Sequence, residues 1–520
     1  MIKTVIKENL YLDSIFLMTV TREMQKVNGV REAVVVMGTE MNKTVLAEVG
    51  ALTPEAQAAT ANSLILSLDV VEDSAVPEAL KVLDNLMSQK ADRQEDDTRE
   101  RSFPTVDLAV QELPCANLAV ISLSGEFAGQ EAMNALKNGM STFIFSDNVP
   151  LEEELELKRY AREHNLWVMG PGCGTSVING ISLGLMSKIS QGAVGIVGAS
   201  GSGIQEIAVL VDQQGEGVSQ AIGTGGRDLS KEIGGITMLQ GLDYLDADPK
   251  TKVIVLVSKP PHPETCAKIY ARVKQSKKPI VIFFLGGDRS QIEASGAYSA
   301  ATLEEAANIA VKLVRGEPIQ QEDFLSKCIA QMKTEAMIEH RKLNCKQKFL
   351  RGLYCGGTHS EEAVLLLNEI LPDMHSNLSF GGVKLLKDPK VSEQNSLVDM
   401  GDELFTRGRP HPVMDPSILT DRLWTEGTDP EVGVILFDLL LGYAVHPDPV
   451  GTIRDTLAAL RKQAAQDGRN LCFVASICGT RQDPQDISLQ KQQLEALGVH
   501  VFYSNSKAAI FAGIVIRGEE

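Results

Sequence analysis

This sequence has few aromatic side chains, no long apolar segment and no excess of basic residues. Aromatic residues make up 5% of the chain, and 50 lysines and arginines stand against 68 aspartates and glutamates, a formal net charge of -18. This charge argues against nucleic acid and anionic membranes as the main partner, but not against a small anionic substrate. No apolar run approaches the length of a membrane span, and the first residues have no signal-peptide pattern. We therefore expect a cytoplasmic protein.

Closely spaced metal ligands are also missing. The eight cysteines form no CxxC pair, and the eight histidines show no HExxH spacing. Zinc sites and thioredoxin-like redox motifs normally carry such spacings. The sequence therefore predicts no metal site, and most of the thiols are expected to be buried in a reducing compartment.

The chain is too long for one hydrophobic core and is predicted to form several domains. Strands and helices alternate over most of it, and its 44 glycines suit the many turns of an α/β fold. Residues 1–90 are predicted to form a small ferredoxin- or ACT-like α+β plait, followed by a charged linker. Three parallel α/β units are expected at 106–190, 191–316 and 349–520, with a helical connector at 317–348.

The segment from Ala193 to Ser230 carries the clearest binding pattern. A β-branched run at 194–197 predicts a buried strand, which ends in a turn of small residues before an amphipathic helix. Free N–H groups and the positive helix end make such a junction an anion site. A second run, at 218–222, ends in the turn GTGGRD, again before helical sequence. The predicted phosphate-binding residues are Ser200, Gly201, Ser202, Gly203, Gly225 and Gly226. For the GASGSG turn, the alternative is a tight strand-to-helix crossover in which glycine serves close packing.

Other predicted strands end in small or polar residues, which a doubly wound sheet brings to its carboxyl edge. The candidates for cofactor binding are Gly125, Ser146, Asn148, Cys173, Gly174 and Thr175, and those for substrate binding are Lys259, Gly357, Thr358, Thr480 and Arg481. Because Cys173 has no base beside it in the sequence, a small turn residue is a better interpretation than a nucleophile. For Arg481, a plain surface position is the alternative.

Three further residues are candidates for catalysis. Arg227 follows the second glycine turn, where it would either clamp an anion with its guanidinium or face solvent at a helix start. The loop GRPHP contains Arg409 and His411, and Asp415 follows it. His411 is a candidate general acid or base, or a hydrogen-bond donor to a substrate carbonyl. A loop histidine held by prolines for shape alone is the competing interpretation.

Together these motifs resemble a known family. GIVGASGSGIQE with IGTGGRDLS is similar to the α subunit of ADP- or GDP-forming succinyl-CoA synthetases, and residues 351–503 are similar to the C-terminal domain of the β subunit. A narrower resemblance, over nearly the whole chain, is to the FdrA group of acyl-CoA-synthetase-like proteins, through FSDNVPLEEELELK, MGPGCGTSVING, SKPP, GLYCGGT and GRPHPVMDP. It implies a CoA-binding Rossmann-like domain at 106–190 and two flavodoxin-like, succinyl-CoA-synthetase-like domains, α ligase-like at 191–316 and β C-terminal-like at 349–520.

The sequence departs from the synthetase pattern at the phosphorylated histidine. Synthetases carry the phosphoryl group in a Gly-His-Ala-Gly context, whereas this chain reads ASGAYSA at 294–300 and has no histidine between His262 and His340. Tyr298 is a poor replacement, because a phenol stays protonated near neutral pH. The connector is also far too short for a nucleotide-binding ATP-grasp domain. The sequence therefore does not support a phosphohistidine relay from ATP.

The FdrA resemblance implies a subunit of an oxamate carbamoyltransferase in allantoin degradation. Such an enzyme converts oxalurate and phosphate to oxamate and carbamoyl phosphate together with companion subunits. Inorganic phosphate is then a substrate, CoA binding is left open, and a homo-oligomer with companion subunits is expected. Two alternatives remain: an acid–CoA ligase subunit whose nucleotide site lies on another chain, and a non-catalytic scaffold or regulatory subunit.

Overall fold

The computed structural model describes residues 2–8, 10, 12, 14–60, 63–92, 103, 105–319, 324–371, 373–406 and 410–518. They belong to two compact units, Met1–Pro104 and Thr105–Glu520. Most of the predicted linker and part of the predicted connector lie outside the described residues. No helix within the described ranges is long and apolar enough to cross a membrane.

The first unit is a three-stranded antiparallel sheet with helices on both faces. The elements, with strand order β1-β3-β2, are β1 (Ile2–Lys7), α1 (Ser14–Gln25), β2 (Val30–Met37), α2 (Glu40–Glu48), α3 (Pro54–Ala58), β3 (Leu64–Val70) and α4 (Ala75–Asp92). Alternate residues of the buried strand β3 point to opposite faces. Leu66 packs with α1 and α4, whereas Ile65 packs with α2 and α3. The predicted α+β plait is confirmed.

The second unit begins with a small parallel sheet of order β4-β5-β6. Its elements are α5 (Val106–Glu112), β4 (Leu118–Ile121), α6 (Gly125–Lys137), β5 (Ser141–Ile144), α7 (Leu151–Glu163) and β6 (Val168–Met169). Ala132 of α6 and Leu157 of α7 pack with Ile144 of the central strand. This is the strand–helix alternation that the sequence predicts.

A seven-stranded sheet of order β13-β12-β11-β9-β10-β7-β8 follows. Its elements are β7 (Thr175–Ile178), β8 (Ile181–Gly184), β9 (Gln191–Gly198), α8 (Gly201–Gln213), β10 (Val218–Gly223), α9 (Ile236–Ala247), β11 (Val253–Ser258), α10 (Pro263–Val273), β12 (Ile280–Phe284), α11 (Arg289–Ala294), β13 (Tyr298–Ser299) and α12 (Leu303–Arg315). If β9 to β13 are numbered 1 to 5 along the chain, they lie side by side in the flavodoxin-like order 2-1-3-4-5. The antiparallel edge hairpin β7–β8 was not predicted, and the chain enters this sheet at Thr175.

The third sheet of the second unit also has seven strands, and all its neighbouring strands are parallel. Their order is β16-β15-β17-β14-β18-β19-β20. After the connector helix α13 (Phe324–His340), the elements are β14 (Phe349–Tyr354), α14 (Gly357–Ile370), β15 (His375–Ser376), β16 (Lys384–Leu385), β17 (Ser396–Asp399), α15 (Glu403–Thr406), α16 (Ser417–Thr428), β18 (Val432–Leu440), α17 (Pro449–Gln466), β19 (Cys472–Cys478), α18 (Ile487–Ala496), β20 (His500–Phe502) and α19 (Asn505–Arg517). The strands β17-β14-β18-β19-β20 again give 2-1-3-4-5. The predicted pair of flavodoxin-like domains is confirmed.

Apolar strands fix the positions of these sheets. β11 and β18 are buried at every residue, as expected where helices cover both faces of a parallel sheet. The last helix, α19, was not predicted, although most of its residues are buried against the third sheet. Its apolar stretch fits a strand as well as a helix, so periodicity alone does not decide between them.

Candidate functional site

The carboxyl ends of the parallel strands in the two seven-stranded sheets border one cavity of about 240 Å3. In a sheet of order 2-1-3-4-5, ligands bind where the strand order reverses, beyond the carboxyl ends of strands 1 and 3. The cavity lies at this point of both sheets. Of the predicted site residues, those lining it are Cys173, Gly174, Thr175, Ser200, Gly201, Ser202, Gly225, Gly226, Lys259, Gly357, Thr358 and His411.

The turn after β9 places the start of α8 at the cavity. Ser200 is the N-cap, and its Oγ accepts a hydrogen bond from Gly203 N at 3.0 Å. Serine suits this position because its short side chain replaces an acceptor that the first helical turn lacks. Gly203 therefore belongs to the cap, while Gly201 and Ser202 line the cavity. The N–H groups of these two residues have no intrahelical acceptor and are left for a ligand.

A second helix, α14, begins at the same cavity from the third sheet. It starts at Gly357, directly after β14 and a glycine N-cap. Thr358 N donates to Ser202 Oγ at 3.1 Å, and the hydroxyls of Ser200 and Thr358 are 2.6 Å apart. Two helix N-termini therefore meet at one place. Their dipoles favour negative charge in the space between them.

The second glycine turn, GTGGRD, lines the cavity but does not start a helix. The next helix, α9, begins only at Ile236, so the prediction of a helix directly after this turn is wrong. Gly225 has a φ of +85°, and a β-carbon there would lie 2.3 Å from Pro171 O. Glycine is required because the turn packs directly on the segment before β7. The helix end that completes the anion site belongs to α14 instead.

A buried ion cluster holds the second turn in place. Lys158 Nζ lies 2.9 Å from Glu154 Oε1 and 2.8 Å from Asp228 Oδ1, and it donates to Thr224 O at 2.9 Å. The side chains of the three charged residues are fully buried. Asp228 also accepts hydrogen bonds from two N–H groups in the first turn of α9. The cluster therefore ties α7, the turn and α9 together.

Arg227 belongs to the same cluster and does not line the cavity. Its Nη2 lies 2.8 Å from Glu154 Oε2 and donates to Val149 O at 2.6 Å. The guanidinium thus joins the second turn to the start of α7. The side chain of this predicted catalytic residue is 43% exposed and supports the turn without lining the cavity.

Lys259 and Asp399 flank the first residue of α14. A β-carbon on Gly357 would lie 3.9 Å from Lys259 Nζ and 3.5 Å from Asp399 Oδ2. Lys259 Nζ is paired with Glu361 Oε1 at 2.7 Å. Asp399 is buried, and its Oδ1 accepts a hydrogen bond from Gly401 N at 2.9 Å. Burial raises the pKa of Asp399 to about 7, so this carboxyl exchanges protons near neutral pH.

His411 lies next to Asp399. A β-carbon on Gly401 would lie 2.9 Å from His411 Nε2 and 3.1 Å from Asp399 Oδ1. Val413 N donates to His411 Nδ1 at 3.3 Å, which assigns the ring proton of the neutral form to Nε2. Burial lowers the pKa of His411, so the neutral ring is favoured. His411 is therefore arranged as a neutral hydrogen-bond donor at the cavity.

A buried histidine joins the two helices beneath their N-termini. His359 of α14 has its Nε2 2.7 Å from Glu206 Oε2 of α8 and its Nδ1 3.3 Å from Asp438 Oδ2 of β18. Burial opposes a charge on this ring, but the two carboxylates outweigh it and raise the pKa of His359 to about 10. Asp438 also accepts hydrogen bonds from Cys355 N and Gly356 N, at 2.6 and 2.9 Å. The imidazolium and its partners therefore fix the turn that precedes α14.

Cys173 lines the cavity but is poorly suited to act as a nucleophile. Its Sγ lies 3.6 Å from Thr175 O and 3.7 Å from Ser176 Oγ. Burial raises the pKa of Cys173 to about 11, so the thiol stays protonated at neutral pH. This geometry agrees with its interpretation as a small turn residue.

Three predicted cofactor-binding residues lie at the carboxyl edge of the small parallel sheet β4-β5-β6, outside the cavity lining. Gly125 begins α6, and a β-carbon there would lie 2.2 Å from Asp147 O. Ser146 Oγ accepts a hydrogen bond from Leu123 N at 2.8 Å. Asn148 is exposed and has a φ of 61°. The structure therefore separates these residues from the helix-end site, and their predicted role stays a prediction.

Two predicted substrate-binding residues, Thr480 and Arg481, do not line the cavity. Thr480 is buried, and its hydroxyl donates to Lys188 O at 2.8 Å. Arg481 is exposed. Arg409 lies outside the described residues. Of the two candidates from the loop GRPHP, His411 lies in the described part of the chain and lines the cavity, and the role of Arg409 stays a prediction.

Sequence reasoning missed Asp399, Asp438 and His359. For the two aspartates a signal exists, because each interrupts an apolar stretch, in SLVDMG and in VILFDLLL. A carboxylate in a buried strand needs a partner or a function, since its desolvation is costly. His359 follows two glycines at a helix start and carries no comparable signal.

Three family models match parts of the chain. An AllF heavy metal-associated domain matches residues 1–103, a CoA binding domain matches 189–286, and a CoA-ligase domain matches 353–515. The CoA-binding match covers β9 to β12 and so falls on the seven-stranded sheet that these strands form with β7, β8 and β13. The predicted CoA-binding domain at 106–190 stays a prediction. The CoA-ligase match covers the third sheet from β14 onwards.

Individual relatives agree with these matches. The α subunit of succinate–CoA ligase [ADP-forming] from Methanothermobacter thermautotrophicus is 25% identical over 229 residues, 42% of this chain and 76% of that one. The structure of the dinucleotide-forming acetyl-coenzyme A synthetase 1 of Ca. Korarchaeum cryptofilum, with phosphate and ADP, has a TM-score of 0.32 at 14% identity over 81% of this chain and 86% of that one. The family matches and the succinate–CoA ligase relative define an acyl-CoA-synthetase-like scaffold.

One relative matches from end to end. The chain is 39% identical over 522 residues to the uncharacterized protein YahF of Escherichia coli (strain K12). The matched region spans 100% of this chain and 99% of that one. The chain belongs to the YahF family.

The first unit has the fold of a heavy metal-associated domain but lacks the usual ligands for such a metal. Residues 1–103 contain neither cysteine nor histidine. Soft and borderline transition metals are held mainly by thiolate and imidazole groups. The residues present therefore do not fit a heavy-metal site, and the match concerns the fold alone.

Gly201→Val is expected to block the anion site without unfolding the protein. The nearest atom to a β-carbon on Gly201 is Thr175 Oγ1 at 3.5 Å, an ordinary contact, so a side chain fits there at the β-carbon and adds bulk at the cavity that Gly201 lines. We expect phosphate affinity, measured by calorimetry, to fall by about tenfold or more, a loss of about 1.4 kcal/mol or more. Gly201→Ala should lose less. Unchanged phosphate binding together with an unchanged melting temperature would contradict the assignment.

His359→Gln is expected to lower the free energy of unfolding by about 3 kcal/mol or more near pH 6, because Glu206 and Asp438 lose their counter-charge. The raised pKa of His359 makes its stabilisation complete below the ordinary value of 6.5, and the stabilisation is lost as pH rises towards 10. The difference from the wild type, measured by urea unfolding, should therefore narrow between these pH values. The exposed His164→Gln serves as control. A difference that stays constant with pH would rule out the charged form.

Proposed function

We propose that this protein is the phosphate-binding subunit of a carbamoyltransferase of the FdrA group. The reaction converts oxalurate and phosphate to oxamate and carbamoyl phosphate. The observation that carries the proposal is the meeting of two helix N-termini, from α8 and α14, at one small cavity. A volume of about 240 Å3 lies below the ~300–1,000 Å3 that is typical of drug-sized ligands, and so suits a small anionic substrate.

Phosphate would bind between the two helix ends. The N–H groups of Gly201, Ser202 and Gly357 lie in the first turns of α8 and α14, where they have no acceptor within their helices. Lys259, paired with Glu361, lies beside them. Donors held in place by backbone need no reorganisation when charge develops on the substrate. The site thus orients the phosphate oxygen as a nucleophile towards the carbamoyl carbon.

His411 would stabilise the oxygen of the carbamoyl group. Its Nε2 carries the proton, because Nδ1 already accepts from Val413 N. As phosphate adds to the carbonyl carbon, negative charge grows on the carbonyl oxygen, and a neutral imidazole N–H donates a hydrogen bond to it. The same tautomer leaves Nε2 without a free lone pair, which disfavours phosphorylation of this histidine.

Asp399 would transfer the one proton that the reaction moves. The phosphate oxygen forms a bond to the carbamoyl carbon, the bond from this carbon to the amide nitrogen breaks, and the departing nitrogen takes a proton. The acidic form of Asp399 donates it, and the proton of the hydrogen phosphate replaces it. A carboxyl group with a pKa of about 7 suits both transfers. In total, one proton passes from phosphate to oxamate.

The direct test is the formation of carbamoyl phosphate from oxalurate and labelled phosphate. The purified chain is assayed alone and with candidate companion proteins. We expect turnover in at least one combination, and loss of turnover with Gly201→Val. Failure to form carbamoyl phosphate in every combination would contradict the proposal.

An acid–CoA ligase subunit is the second candidate, and the CoA-binding and CoA-ligase matches favour it. The nucleotide-binding part would then lie on another chain. Incubation with labelled ATP, CoA and candidate acids separates the two proposals. A labelled phosphoprotein whose label is lost in His411→Asn would support the ligase and contradict the neutral role of His411.

Asp399→Asn is expected to separate proton transfer from phosphate binding. Turnover of oxalurate should fall by about 10²-fold or more, because the amide nitrogen leaves without a proton. Wild-type activity should decline as pH rises through about 7, where the acidic form of Asp399 is lost, and this dependence should disappear in the variant.

Phosphate affinity measured by calorimetry is the control. It should be nearly unchanged in Asp399→Asn, because the helix N-termini that would hold the anion are kept. Equal losses in turnover and in phosphate affinity would show that Asp399 only supports the fold of the site.

A further inference from the structure

Three side chains with metal-binding groups meet at the end of the third sheet that is opposite to the cavity. They are Glu339 in the last turns of α13, Cys472 at the first residue of β19 and His500 at the first residue of β20. One ligand atom from each lies within 4.8 Å of the other two. Because they stand far apart in the chain, no spacing motif could have indicated them.

The orientation of His500 provides a second observation. Its Nε2 lies 3.3 Å from Glu339 Oε1, on the side of the cluster, and its Nδ1 lies 3.2 Å from Glu335 Oε1. A histidine that binds a metal through one ring nitrogen commonly donates the other N–H to a carboxylate, which fixes its tautomer and direction. Glu335 stands where such an orienting carboxylate is needed.

The surroundings of the cluster restrict the motion of its members. Cys472 is buried, and the side chains of Glu339 and His500 are 12% and 21% exposed. The ring of His500 also packs on Phe511, with centroids 4.9 Å apart. The partial exposure of Glu339 and His500 brings solvent to the cluster. Lys342 Nζ lies 2.6 Å from Glu339 Oε1 and competes with a metal ion for this carboxylate.

We propose that Glu339, Cys472 and His500 bind a zinc ion, with Glu335 orienting His500. Thiolate, imidazole and carboxylate are all zinc ligands, and three protein ligands leave a fourth position for water. The ion joins the connector helix α13 to the first residues of β19 and β20. Its role is to hold the connector on the third sheet, because the anion cavity lies at the other end of the strands.

Cobalt substitution tests the proposal without relying on activity. Metal-free full-length protein is titrated with Co²⁺, which reports thiolate ligation by an intense charge-transfer absorption, and the cobalt is then displaced with Zn²⁺. We expect one equivalent with a thiolate band. Cys472→Ser should abolish the band, whereas Cys115→Ser, which alters an exposed thiol between α5 and β4, should leave it unchanged.

Further variants distinguish coordination from general damage. Glu335→Gln should weaken zinc binding by about 10- to 100-fold while keeping the thiolate band, because it affects only the orientation of His500. His500→Gln tests the imidazole if Cys472→Ser fails to fold. The proposal is overturned if wild-type protein binds no cobalt at micromolar concentrations, if bound cobalt shows no thiolate band, or if the band survives in a folded Cys472→Ser protein.

Discussion

Two positive helix ends held side by side are the constraint on which the rest of the site depends. Without an anion between them, the N-termini of α8 and α14 repel each other, so other contacts must hold them together. Ser200 and Thr358 provide a hydrogen bond at the surface of the cavity. Below it, His359 joins α8 to α14 and β18 through two carboxylates. Both layers are needed, because the helices belong to different sheets.

The topology explains why one cavity serves two domains. Each seven-stranded sheet has its reversal of strand order beside its first strand, and each first strand leads directly into a helix. Because the two reversal points face each other, the cavity has two helix N-termini where a single domain would provide one. The sequence predicts the start of α8 as an anion site, but it assigns the second half of the site to the turn GTGGRD, whereas the structure brings the start of α14 to α8. It also predicts the flavodoxin-like domains and the N-terminal plait.

Two of the charges that support the cavity could not be predicted from the sequence, for a physical reason. Lys158 pairs with Asp228, and His359 pairs with Glu206 and Asp438, partners that are distant in sequence and are brought close only by tertiary packing. On a helix, Lys158 reads as part of a charged exposed face, although its side chain is fully buried. The role given to Arg227 had the opposite problem. Its position after a glycine turn suggested ligand binding, but the fold gives its guanidinium two partners from α7 and the loop before it.

The segment between β6 and β7 is at once a wall of the cavity and the joint between two sheets. Cys173 N donates to Ile144 O at the edge of the small first sheet, at 3.0 Å. Two residues later, Thr175 Oγ1 donates to Gly201 O at the start of α8, at 2.9 Å. Two hydrogen bonds, made by residues only two positions apart, therefore tie the position of the helix end at the cavity to that of the small sheet.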